Sequence, residues 1–123
     1  VSTIAERVAL GAAFLNENDP QWWRGGVDRA IDLDTLNLGL GGRCILGQRC
    51  PFEDAGPHTA FHAFARVLSG LPLDPDDDDE SSENAIDRWA APLGFQAYTC
   101  GYVEYGELTA EWARVIRERR STA

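Results

Sequence analysis

Lysine is absent from this chain, although eleven arginines are present. Arginine codons are GC-rich and lysine codons AT-rich, so the replacement reads as the mark of a high-GC genome. It has no evident folding purpose, because lysine serves as well at most solvated positions. Long apolar runs are absent too. The stretch from Val8 to Leu15, interrupted by Gly11, is far short of the roughly 20 residues that span a bilayer. Residues Val1 to Arg7 lack the basic-then-apolar layout of a secretion signal. The expectation is a cytoplasmic protein without a membrane association. Cysteine is scarce and odd in number, at Cys44, Cys50 and Cys100, which argues against a secreted disulfide framework and for free, mostly buried thiols. No basic stripe exists that could displace many counterions from a phosphate backbone, so direct nucleic-acid binding is not expected. A phosphate-cradling loop is missing as well: Gly39 to Gly42 has neither the following lysine nor a strand–helix setting.

What is present describes a folded domain. The 123 residues are 44% hydrophobic and include four Trp, five Phe and three Tyr, sufficient for one core without covalent staples. The net charge of −9 is concentrated: Asp74, Asp76 to Asp79 and Glu80 supply six negative charges, and subtracting them leaves −3. The protein reads as a near-neutral single domain, residues 1–123, carrying an acidic, solvated and mobile loop at about 71–83.

Helical signals dominate the pattern. Thr3 and Glu6 form a capping box, and Ile4, Val8, Ala12 and Leu15 follow on one face. Asn16 to Pro20 ends that helix, and Pro20 opens a short turn carrying Trp22 and Trp23. From Val27 to Gly42 the spacing is mixed, compatible with a short strand or a single helical turn. A second helix is expected over Gly56 to Ser69, with Pro57 in its first turn and Gly70 at its end. A third is expected at about Ser82 to Ala91, stopped by Pro92 and Gly94. The last is expected to be capped by Thr109, with Leu108, Trp112, Val115 and Ile116 as its buried stripe. Arginines crowd its C-terminal half, as the macrodipole favours. Aromatic and β-branched residues between Phe95 and Tyr105 suggest a strand or small hairpin around Gly101. The expected fold is mainly α: a compact domain of four to five helices, with a small β-hairpin near residues 95–105 as an option.

Several segments taken in order look familiar: Ala12-Ala13-Phe14-Leu15-Asn16-Glu17, Pro20-Gln21-Trp22-Trp23, Ile31-Asp32-Leu33-Asp34-Thr35-Leu36, Cys44-Ile45-Leu46-Gly47-Gln48 and Leu108-Thr109-Ala110-Glu111-Trp112. The set resembles a group of small proteins of unknown function from actinobacteriophages and actinobacteria. The resemblance covers most of the chain outside 51–84. It implies a phage-linked origin, consistent with the arginine-only composition, and no activity.

Four constellations bear on chemistry. Cys44, Cys50, His58 and His62 place four zinc-type ligands within nineteen residues, with the histidines one helical turn apart. Five residues between the cysteines and seven between Cys50 and His58 do not match a zinc finger, and the competing reading is core packing. Cys44 stands just before Ile45-Leu46-Gly47, which can open a helix and so activate a thiol, with His58 or His62 as base. No orienting partner or nucleophile elbow accompanies it. The acidic run fails the calcium-loop template, since Asp79 and Ala85 stand where Gly and Glu are required. Glu104 and Glu107 cannot be assigned acid–base roles on sequence alone.

Trp22-Trp23-Arg24 is the best candidate for partner binding. Neighbouring residues on a helix point about 100° apart, so both rings cannot be buried equally. An exposed Trp beside Arg has the composition of an interface anchor. The alternative puts one ring in the core and the other over its edge, with Arg24 stacked on it. The resulting expectation is a small non-enzymatic accessory protein of phage or prophage type that binds a host protein, with no cofactor or metal. The alternatives are a structural zinc domain using Cys44, Cys50, His58 and His62, and an acidic decoy of a nucleic-acid-binding protein.

Overall fold

The capping box at the start of the chain forms as the sequence predicts. Thr3 Oγ1 accepts from the Glu6 N–H at 3.1 Å, and the Glu6 carboxylate accepts from the Thr3 N–H. It opens α1, Ile4–Asn18. The computed structural model describes residues 3–53, 55–56, 59–71, 79–98 and 101–122, without the side chains at 79–84. The fold is mainly helical and compact: α1 is followed by α2 (Ile45–Arg49), α3 (Ala60–Ser69), α4 (Asp79–Ala90), a 3-10 turn at Ala91–Leu93 and α5 (Tyr102–Thr122). No strand occurs among the described residues. Among the described residues, no helix is long and apolar enough to cross a membrane.

α1 packs on the 3-10 turn and on α5, while α2 packs on α3 and α3 on α4. An aromatic cluster joins these layers. The Trp112 ring stacks on Phe95 at 5.6 Å and meets Trp22 edge-on at 5.5 Å. Phe14 and Trp89 extend the cluster around Phe95. Both buried indoles find acceptors: Trp112 Nε1 donates to the Gly94 carbonyl at 2.7 Å and Trp22 Nε1 to Asn16 Oδ1 at 3.0 Å. Gly94 turns the chain at φ +71° and brings it against the Arg7 backbone, a position that only glycine adopts without strain.

One local expectation changes, and two others fall partly outside the described residues. The last helix starts at Tyr102, so Thr109 lies inside it. The Thr109 hydroxyl donates to the Tyr105 carbonyl at 2.8 Å and accepts from the Leu38 N–H at 3.0 Å. It therefore ties a loop to α5 and caps nothing. The optional hairpin near 95–105 has no counterpart among the described residues: 95–98 is irregular and 102–105 is helical, while 99–100 lies outside them. Of the acidic loop expected at 71–83, residues 72–78 lie outside the described set and 79–83 belong to α4.

Candidate functional site

The Trp22-Trp23-Arg24 segment sits in the turn after α1, where Trp22 N–H donates to the Asp19 carbonyl. Trp22 is fully buried, with the Arg119 guanidinium over its ring at 5.1 Å. It presents no surface to a partner. Trp23 is half-buried against the core, and exposed Arg24 covers its ring at 5.1 Å. The geometry is that of one ring inside and one at the edge.

Cys44 is the N-cap of α2, as its place before Ile45-Leu46-Gly47 suggests. Its Sγ accepts from the Gly47 N–H at 3.2 Å and faces the Gly41 carbonyl at 3.7 Å. The helix terminus does not activate it. Burial pushes the thiol up to about 11, against smaller lowering by the Gly47 N–H, so it is protonated at neutral pH and a poor nucleophile. Cys50 follows α2 and is a free thiol like Cys44. His62, on α3, lines a cavity of about 180 Å³ with Cys44, Gln96 and Tyr105. Its Nε2 lies 3.8 Å from Asp87 Oδ1 on α4, too far for a direct hydrogen bond. His58 and Cys100 lie outside the described residues. Among the described residues, no three His, Cys, Asp or Glu side chains gather as a metal site would require.

Glu104 belongs to a structural clasp. Its carboxylate accepts from Arg7 at 3.1 Å and from the Tyr98 N–H at 2.6 Å. Arg7, itself buried, also donates to the Ala91 and Gln96 carbonyls at 2.9 and 2.7 Å and lies over the Tyr98 ring at 4.4 Å. A second buried arginine, Arg49, grips both oxygens of Asp19 at 2.8 Å. Neither arginine stands out in the sequence, because a charged side chain is by default assigned to solvent. Glu107 is exposed on α5.

A concave surface lies elsewhere, between the 33–40 loop and α5. It is an open groove of about 630 Å³. Leu33, Leu36 and Leu40 form one wall, and Tyr102, Gly106, Ala110, Ala113 and Arg117 recur at helical spacing along the other. The Thr109 hydroxyl fastens the two walls together. At the mouth Tyr102 is 95% exposed, beside Val103 at 76% and Leu40 at 45%. Aromatic and β-branched residues at 102–105 are the sequence signal for this surface, but taken as a strand they place these side chains on the wrong faces.

A second groove, of about 440 Å³, runs between α1 and α5. Alanines 5, 9 and 13 line one side, and the Glu111–Arg114–Glu118 ladder lines the other. Arg114's hydrogen bonds hold the Glu111 carboxyl below the usual range, so this face already has its charges matched.

No family model, characterised protein or solved structure matches the chain. The α5 groove and its exposed aromatic mouth must therefore be interpreted from their own chemistry.

Proposed function

We propose that this is a binding protein rather than an enzyme, and that it engages another protein chain through the face formed by α5 and the 33–40 loop. The observation that carries this reading is the exposure of Tyr102 at the mouth of a groove lined by Leu33, Leu36 and Leu40. Large apolar side chains gathered around a concave surface are characteristic of contact sites. Tyrosine suits such a site, since it offers much contact area for little lost side-chain freedom. A binding role also accords with the protonated, buried state of the Cys44 thiol. The lysine-free composition and the resemblance to actinobacteriophage proteins support an accessory role in a phage or prophage setting.

Affinity capture from an actinobacterial lysate, comparing native protein with Tyr102→Asp and Trp23→Ala, tests the assignment. A partner held by the native chain and by Trp23→Ala, but lost with Tyr102→Asp, is the expected result. Loss with Trp23→Ala and retention with Tyr102→Asp would move the binding face to the turn after α1.

A further inference from the structure

The cavity of about 180 Å³ beside His62 draws its walls from five separate segments of the chain. Cys44, Phe61, His62, Phe95, Gln96 and Tyr105 supply its larger side chains. Among the described residues no carboxylate or guanidinium lines it. At roughly 30 Å³ for each water, the space equals about six waters. That accommodates a single ring with its substituents, and falls short of the about 300 Å³ at which drug-sized ligands begin.

Gln96 is the member of this lining that the fold does not explain. Its backbone carbonyl is taken by Arg7 at 2.7 Å, but its side-chain Oε1 is buried without a hydrogen-bond partner. The side-chain nitrogen makes no hydrogen bond among the described residues either. A buried acceptor left unmade opposes folding, and an apolar side chain of the same shape would avoid that cost. We propose that the cavity binds a small, uncharged, planar cyclic amide, of the size of a single-ring nucleobase, paired edge to edge with the Gln96 carboxamide.

A carboxamide sets one acceptor beside one donor group. A cyclic amide presents the reverse order along one edge, N–H beside C=O, so the two make a matched pair of hydrogen bonds. The last torsion of a glutamine side chain is broad, and rotation about it turns the covered Oε1 toward the cavity. Aromatic walls suit a flat ligand, and Phe95 is held in place by its stack on Trp112 at 5.6 Å. The absence of a cation from the lining and the net charge of −9 disfavour a phosphate-bearing ligand. The free base fits, and its nucleotide does not. The cavity and the α5 groove share Gly39 and Tyr105, yet binding of a small amide here needs no protein partner there.

Titration of the isotope-labelled chain with uracil, followed by nuclear magnetic resonance, tests the site. Native protein is expected to show saturable shifts at His62, Phe95 and the Gln96 side-chain amide, with a Kd of about 0.1–1 mM. Gln96→Leu should weaken binding by about tenfold or more while its melting temperature stays level or rises, since the lost amide made no bond within the fold. Uridine monophosphate should bind at least about tenfold more weakly than uracil. Should Gln96→Leu fail to fold, the shift of the Gln96 side-chain amide in the native protein still decides the matter. No saturable shift by about 10 mM uracil, shifts confined to the Leu33–Arg117 groove, or a folded Gln96→Leu that binds equally well overturns the proposal.

Discussion

Replacing Arg49 with lysine keeps the charge and removes the fork, so it isolates what guanidinium geometry contributes. Arg49 is 2% exposed and makes four hydrogen bonds. Nε and one terminal nitrogen hold the two Asp19 oxygens at 2.8 Å, and the other terminal nitrogen holds the Asp28 and Arg29 carbonyls at 2.9 and 3.0 Å. These acceptors diverge: the carboxylate ends α1, and the carbonyls belong to the following loop. An ammonium is a single point and cannot serve both sides of that gap. At least two of the four bonds are lost, each worth about 1.5–3 kcal/mol when one member is charged. A lysine that keeps half the network therefore gives a loss of about 3 kcal/mol, close to the lower end for breaking a buried ion pair outright.

For a chain of this size that loss lowers the melting temperature by about 10 °C. Urea unfolding followed by circular dichroism measures it directly, provided the slope against denaturant is unchanged. A double-mutant cycle with Asp19→Asn separates the carboxylate pair from the carbonyl bonds. A loss for Arg49→Lys under about 1 kcal/mol would refute the reasoning, because the fork would then have been replaceable by a point charge.

Two further perturbations follow from the packing. Gly11→Ala should destabilise the protein by about 2–3 kcal/mol in a thermal or urea melt although alanine favours helix, because a Cβ there collides with the Leu93 carbonyl and the Trp112 ring; a raised melting temperature would contradict that contact. Cys44 should resist iodoacetamide at mildly alkaline pH while Cys50 reacts, as read by peptide mass mapping. Because the folded thiol sits at about 11 against an ordinary value of 9.0, its contribution to stability is intact below pH 9 and is lost as pH rises toward 11, by about 2–3 kcal/mol. Cys44→Ala should lack that component of the alkaline decline, and an unchanged decline would assign it to other groups.

What could be foreseen from the sequence depended on how local the cause was. The capping box of α1 involves residues three apart, and Gly70 and Gly94 end their elements by their own backbone preference. Those features were legible. The start of α5 was not: Tyr102 to Tyr105 favours a strand locally, yet the segment is helical where Glu104 receives Arg7 and the Tyr98 N–H. Arg7 sits 97 residues away from Glu104 in the chain, beyond the reach of any periodicity argument. The Cys44 example shows both sides. Its helix-capping place was readable from its neighbours, whereas the direction of its titration is set by burial, a property of the assembled core. At Trp22 and Trp23 helical geometry excluded two equally buried rings, but the selection of Trp22 required the Trp112 ring and Asn16 as its surroundings.

The absence of lysine then acquires a structural consequence beyond codon usage. Between Asp19 and Cys44 the chain runs without a helix or strand, a long irregular stretch for a compact domain. Its backbone polar groups need partners that no regular ladder provides. Arginines supply several of them: Arg120 holds the Trp23 and Ile31 carbonyls at 2.8 Å each, and Arg49 holds those of Asp28 and Arg29. Arg29, itself at φ +56°, returns a bond to the Arg49 carbonyl at 3.1 Å. In each case one side chain spans two acceptors or closes a reciprocal pair, and a guanidinium does so with fixed geometry where an ammonium would have to choose. At solvated positions such as Arg24 the two residues are interchangeable in charge. At Arg49 and Arg120 they are not, and there the arginine-only composition has become part of how this irregular stretch is held.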